Sequence, residues 1–377
     1  MKSKFIAWAI APIFLIGCSD YLETPPSVDY GENEVFATRA DAEKLLTTLY
    51  AEGMPYGFCM SSSNTDRRLL SSSTLASACD EGEDVATWAM GNAAWNAGNH
   101  TNTNFPWDED CRFYLRNHTM RVANLILKRI HEVPFDEGDP DFNKRTTGEA
   151  YFMRAMLLWE GVYRYGGMPI VRDVIDPTDF SQRPRNSFSD CIDSILIDCD
   201  RATQYLPDYY TDNAKLGRAT RIAALALKAR VLLYAASPLF NTSTPYMSFP
   251  GHEDLIGYGN YDRERWKKAA DAAKAAIDAA LASGHYKIHN TGNPDKDYEE
   301  VWTIPDNEEI ILGNMKYRNF KTTSRPLVAN LPTWAMNKSW GDAGLYVPFN
   351  FVLHYERRAD GQPADWNMDG GDNLIDI

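Results

Sequence analysis

Thr147-Gly-Glu-Ala-Tyr-Phe-Met-Arg-Ala-Met-Leu-Leu-Trp-Glu-Gly-Val-Tyr-Arg-Tyr-Gly-Gly-Met-Pro-Ile170 is the stretch whose reading decides the fold. Ala150, Met153, Leu157, Leu158 and Val162 recur at helical spacing, with Phe152, Ala155, Met156 and Trp159 beside them. So wide an apolar face predicts a helix, from about Lys144, that packs on neighbours on both sides. Gly166-Gly167 stops it and Pro169 bars its continuation. Glu149 and Arg154 flank the apolar run, and Arg154 is placed for a buried polar contact. A lone helix of this kind does not hold in water, so other helices must cover it.

Those helices are legible on either side. Thr38, with Asp41 three residues on, caps a helix running to about Ala51, with Ala42, Leu45, Leu46 and Leu49 inward. Asp110 to about Val133 is the next, lined by Phe113, Met120, Ala123, Ile126, Leu127 and Ile130. Ser187 with Asp190 opens a third, in which Cys191 and Cys199 stand as core thiols. Thr220 caps an Ala- and Leu-rich helix over Arg221–Leu239. Asn260 is expected to cap the last clear helix, with Trp266, Ala269, Ala273, Ile277, Ala280 and Leu281 facing inward and Gly284 ending it. From about residue 286 the pattern changes, and Glu308-Glu-Ile-Ile-Leu-Gly313 reads as a strand. The fold class is therefore mostly α, with long loops and a few short strands.

The chain has 377 residues, 44% hydrophobic and 24% charged, with a net charge of −14. That acidity, with no basic cluster to offset it, excludes nucleic acid as a ligand. Residues 1–17 read as an export signal: Lys2 and Lys4, then an apolar run from Phe5 to Ile16 that is short for a membrane span. Leu15-Ile16-Gly17-Cys18 has the order of a lipobox, which makes Cys18 the acylated residue. Residues 18–37 then form a tether containing Pro25-Pro26, and 38–377 form one domain, with its helical core at 38–285 and a mixed, loop-rich part at 286–377. Of the other cysteines, Cys59 and Cys79 lie in one loop of an exported chain and could pair.

The residues Glu149-Ala150, Phe152, Arg154-Ala155 and Gly166-Gly167 with Pro169 resemble the signature helix of the SusD/RagB family. Cys18-Ser-Asp-Tyr-Leu-Glu-Thr-Pro-Pro26, the Ala-Leu-x-Ala-Arg-Val order at 226–231 and Asn307-Glu308 with Ile310 are similar to further family segments, as are Tyr346–Glu356 and Asp360-Gly361. Tyr346–Glu356 is there expected to be a helix. The resemblance implies a SusD-like α-helical fold with tetratricopeptide-like helix pairs. It also implies an outer-membrane lipoprotein, facing the cell exterior, that delivers glycan to a SusC-like, TonB-dependent transporter. Family members continue well beyond the position of Ile377, so the chain reads as truncated or partial.

No nucleophile elbow, His-Glu-x-x-His pair, P-loop or dinucleotide fingerprint is present. The expected function is binding without catalysis. A secreted glycoside hydrolase with two carboxylates flanking a sugar, and a peptide-binding RagB-like member, are the alternatives. Asp365, Asn367, Asp369 and Asp376 have calcium-loop spacing, but Asp372 occupies a usually apolar place. An acidic Gly-rich turn is expected there, and no cofactor.

The strongest binding signal is aromatic. A pyranose presents a face of C–H bonds to an indole and a rim of hydroxyls to amides and guanidinium groups. Residues 88–107 interleave Trp88, Trp95 and Trp107 with asparagines that include Asn99, and residues 317–345 repeat the mixture with Tyr317, Arg318, Trp334 and Trp340. The resemblance places ligand contacts in loops at these two positions along the chain. Trp88, Trp95, Asn99, Tyr317, Arg318, Trp334 and Trp340 are the candidate glycan-binding residues; Trp107, which starts a family motif, reads as structural.

Overall fold

The computed structural model describes residues 31–54, 83–84, 101, 107–176, 178–313, 345–346, 349–356 and 361–362. A short helix α1 (Glu32–Val35) precedes α2 (Arg39–Gly53), α3 (Trp107–Arg129), α4 (Phe142–Tyr165), α5 (Phe188–Tyr205), α6 (Arg221–Ala236) and α7 (Glu264–Ala282). From α2 to α7 each helix packs on the next, and α4 also reaches α2 and α6. The decisive stretch is thus the central helix. Its apolar residues Phe152, Met153, Ala155 and Val162 are buried, as are Leu157 and Trp159 across the helix. Each fully buried Phe, Leu or Val contributes roughly 1.5–3 kcal/mol, which is why α4 holds the array together.

Helix starts follow their caps. Thr38 Oγ1 accepts from Asp41 N at 3.2 Å, Ser187 Oγ from Asp190 N at 3.0 Å and Thr220 Oγ1 from Ala223 N at 3.0 Å. Each such cap stabilises by about 1 kcal/mol. The end of α4 is tightly specified. Gly166 has φ 77° and ψ −144°, and its N–H closes on Val162 O at 2.8 Å. Gly167 N then donates to Leu255 O at 2.7 Å, and Asn186 N donates to Met168 O at 3.0 Å. The Gly-Gly pair therefore lets two separate backbones, at Leu255 and Asn186, approach the exit of α4.

Several expectations are corrected. Helix α6 stops at Ala236, not Leu239, because Ser237 precedes Pro238 and takes extended angles (ψ 156°). Helix α7 starts at Glu264, and Asn260 does not cap it; Asn260 Oδ1 accepts instead from the Arg265 guanidinium at 2.8 Å. Nor do its large residues face inward. Ala269 and Ala276 are buried, whereas Trp266, Ile277 and Leu281 are 38%, 59% and 60% exposed. Ala273, also expected inward, is exposed. Glu308–Gly313 is a run of turns and bends, not a strand. Asn307 Oδ1 accepts Glu309 N at 2.9 Å and Ile310 N closes on Asn307 O at 2.9 Å, while Ile311 and Leu312 pack on the core.

The region after 286 also holds a helix that was not expected, α8 (Pro294–Thr303), with Pro294 in its first turn and Asn293 Oδ1 accepting from Asp295 N. At the expected Tyr346–Glu356 helix stand a strand residue pair, Leu345–Tyr346, and one helical turn, α9 (Phe349–Val352). Cys191 and Cys199 are free buried thiols, as read from the sequence. Cys18, Cys59 and Cys79 lie outside the described residues, as do residues 1–17 and Asp365–Asp376. Among the described residues no helix is long and apolar enough to cross a membrane.

His289 ties the segment after α7 to α8 and the following turn. Its Nε2 lies 2.8 Å from Glu300 Oε2 and its Nδ1 3.4 Å from Glu308 Oε1. The bond to Glu300, supported by Glu308, raises its pKa above the ordinary 6.5 against the opposing effect of desolvation. A raised folded-state pKa means the stabilisation is fully present below 6.5 and is lost as pH rises through the higher folded value. The melting temperature of the protein should therefore exceed that of His289→Gln at about pH 5.5, by a margin that shrinks as pH rises through the raised folded-state pKa. A difference that does not change with pH would remove His289 from this role.

Candidate functional site

The two ring-bearing segments lie far apart in sequence, and a short ladder pairs a dipeptide upstream of the first with one at the end of the second. Strand β1 (Glu83–Asp84) ends four residues before Trp88, and β2 (Leu345–Tyr346) begins at the last residue of the second segment. The two pair antiparallel, Glu83 opposite Tyr346 and Asp84 opposite Leu345. Paired strands lie about 4.8 Å apart, so Glu83–Asp84 and Leu345–Tyr346 share one ladder. Trp88, Trp95, Asn99, Tyr317, Arg318, Trp334 and Trp340 themselves lie outside the described residues. Trp107 is the first residue of α3, so the first segment runs from the ladder into a core helix.

The mount beneath α3 is a buried polar network. Arg154, on α4, donates to both carboxylate oxygens of Asp198 on α5 at 2.8 Å each, and to Asn124 Oδ1 on α3 at 3.0 Å. The Asn124 amide donates onward to Val171 O and Asp173 O. Arg172 adds a contact to Asp198 Oδ1 at 3.2 Å. Three helices and the strand-like exit of α4 are thereby fixed in one arrangement, and the expected buried contact of Arg154 is in place. The single turn in Asn124 orientation that would satisfy both guanidinium and carbonyls is the one seen: its oxygen faces the cation and its NH₂ faces the carbonyls.

A second buried acid, Glu149, sits under the segment before α6. Burial pushes its pKa up, opposed by Arg218, whose Nη1 lies 3.2 Å from Oε2, and by Arg145 at 3.4 Å. Glu149 and Asp198 are thus both committed to guanidinium groups inside the core, where no sugar reaches them. Among the described residues no group of three or more His, Cys, Asp or Glu could hold a metal ion. A cavity of about 200 Å³ opens between α3, α4 and the exit segment, lined by Met120, Leu157, Met168 and Pro169 with Arg116 and Asp173 at its edge. Ligand pockets run to roughly 300–1,000 Å³, so this one is too small for an oligosaccharide.

Comparison with known proteins agrees with this architecture. Residues 20–233 match a family model, SusD-like_3, described as "Starch-binding associating with outer membrane". A SusD-like protein from Bacteroides fragilis NCTC 9343 has a similar solved structure, with a TM-score of 0.64 and 24% identity over 91% of this chain and 58% of that one. The solved structure of BT4246 is similar with a TM-score of 0.61 and 24% identity over 87% of this chain, again 58% of that one. The chain thus spans a little over half the length of these two relatives. No curated protein matches it.

Proposed function

Because the chain belongs to the SusD-like family of starch-binding proteins that associate with the outer membrane, we propose that it is a non-catalytic glycan-binding lipoprotein of the cell surface. Acylation at Cys18 anchors it, and it passes oligo- or polysaccharide to a SusC-like, TonB-dependent transporter. The observation that carries this reading is the β1–β2 ladder. It pairs Glu83–Asp84, upstream of Trp88, Trp95 and Asn99, with Leu345–Tyr346, downstream of Tyr317, Arg318, Trp334 and Trp340, side chains that have the chemistry for sugar. Rings from two segments held at a common base can form one face, with amide and guanidinium groups to meet the hydroxyl rim. The match to the family model and the lipobox order at Leu15–Cys18 support the localisation.

The test is retention of the protein, and of its single Ala variants at Trp88, Trp95, Trp334 and Trp340, in native gels containing neutral polysaccharides. Loss of one stacking ring is expected to weaken binding by about fivefold or more. Unchanged retention in all four would move the site elsewhere. Release of reducing ends by the purified protein, abolished by replacing one carboxylate, would overturn the non-catalytic reading.

A further inference from the structure

The loop between α6 and α7, residues 237–263, is closed at its base and carries large rings at its tip. Asn241 is the hub of the base. It is buried, its Nδ2 donates to Asp262 O at 2.9 Å, and its Oδ1 accepts from Asp262 N at 2.8 Å and from Arg265 Nη1 at 2.6 Å. Tyr258 N donates to Phe240 O at 3.0 Å. The Phe188 ring stacks on Phe240 at 4.5 Å and meets Tyr258 edge-on, while Arg265 covers the Tyr258 ring at 3.7 Å. Leu255, in the middle of the loop, is buried and accepts the Gly167 N–H at the exit of α4. A loop with joined ends and its own packing is a frequent carrier of function.

The tip is built differently. Tyr246 is 87% exposed and Met247 76%, and Phe249 is partly exposed with its ring 5.2 Å from His252. Local bonds fix the backbone that presents them: Thr244 N donates to Thr242 Oγ1, His252 N to Phe249 O and Gly251 N to Glu253 Oε1. Three large apolar side chains in four residues, held outward on an ordered backbone, leave water-exposed apolar area that the fold does not use. The chemistry around them is neutral to acidic. No Lys or Arg occurs from Ser237 to Asp262, Glu253 and Asp254 stand next to the tip, and Thr242, Ser243, Thr244 and Ser248 supply hydroxyls. Residues 237–262 thus offer no Lys or Arg to a phosphate, a sulfated or uronate sugar, or an anionic lipid headgroup, and Arg265, which reaches only the base, is engaged by Asn241, Asn260 and the Tyr258 ring. An uncharged ligand with an apolar face and hydroxyls at its edge fits both features.

We propose that the tip of this loop, centred on Tyr246 and Phe249, is a second contact for neutral polysaccharide, separate from the segments at 88–107 and 317–345. It rests on the reading that the chain binds glycan and assigns to that activity a platform in the helical array. A pyranose lies on the Tyr246 ring, and the neighbouring hydroxyls and His252 serve its edge.

The experiment uses the full chain, Tyr246→Ala, Phe249→Ala and the double variant, in native gels containing starch, a β-glucan, a mannan or a xylan. A parallel arm measures flotation with zwitterionic phosphatidylcholine vesicles. Both side chains lie at the surface, so the variants should keep the wild-type melting temperature. The expected result is about fivefold weaker retention by the best of the four polysaccharides for each single change, and a larger loss for the pair. Unchanged retention in the double variant, with binding still lost in the tryptophan variants, overturns this inference and leaves the parent reading standing. Vesicle flotation that the double variant loses, with retention unchanged, assigns the tip to a membrane instead. A wild-type protein retained by none of the four overturns both readings.

Discussion

Asp198→Ala is expected to cost about 3–5 kcal/mol of folding stability, a large share of what an ordinary domain has. The carboxylate and the Arg154 guanidinium it receives are both buried, at 2.8 Å through two parallel bonds. Removing the anion strands Arg154 among α3, α4 and α5 with no counter-charge, left with the Asn124 oxygen at 3.0 Å and the face of the Tyr151 ring at 5.3 Å. The penalty is the cost of an uncompensated buried cation, not the worth of the bond itself. One double variant separates those quantities. Arg154→Met combined with Asp198→Leu should regain much of the loss, because an apolar pair of similar size leaves no fully buried charge behind, and Arg172, a third exposed, keeps its bond to Ser194 Oγ. Denaturant midpoints with an unchanged slope are the measurement. A cost under about 1 kcal/mol for Asp198→Ala would mean that water enters the network.

Gly166→Ala should cost about 3 kcal/mol or more, by two independent effects. The angles φ 77° and ψ −144° belong to a region that residues with a side chain rarely enter. A Cβ built there would lie 2.1 Å from Leu255 O, a backbone atom that cannot swing away. The α4 exit and the 237–263 loop would have to separate, so faster amide exchange at Gly167 should accompany the loss. Gly251 is the control: its φ is 78°, yet nothing lies within 4 Å of an added Cβ. Gly251→Ala should show only the backbone penalty, about 1 kcal/mol. Equal costs at the two positions would show that the close approach to Leu255 contributes nothing.

Much of the helical scaffold is local in origin, and local origins are readable. The caps at Thr38, Ser187 and Thr220 need only a hydroxyl two or three residues from an unpaired N–H, and all three form as the spacing predicts. The stop at Gly166-Gly167 is equally local. Errors arise where one chemistry is compatible with two neighbours. In α7 a continuous apolar surface runs from the alanine stripe to Trp266, Ile277 and Leu281, and hydrophobic period cannot say which half meets α6. The apolar run Glu308–Gly313 has strand composition, but Asn307 turns the backbone first. Asn293-Pro294 carries the local signal for the start of α8, a side-chain cap followed by a first-turn proline, but the polar composition around it shows no apolar period.

The candidate site divides along the same line. Residue chemistry alone marks Trp88, Trp95, Trp334 and Trp340 as rings in polar surroundings, because the capacity to stack on a sugar belongs to the side chain. The β1–β2 ladder could not be read there, since pairing Glu83 with Tyr346 joins backbones more than 250 residues apart through bonds that carry no side-chain signature. The exposed tip at Tyr246 was likewise invisible: tyrosine, methionine and phenylalanine near prolines look the same whether they fold under a loop or stand out from it. Burial is a property of neighbours brought from elsewhere in the chain, here Phe188, Gly167 and Arg265, which hold the loop's base and leave its rings in water.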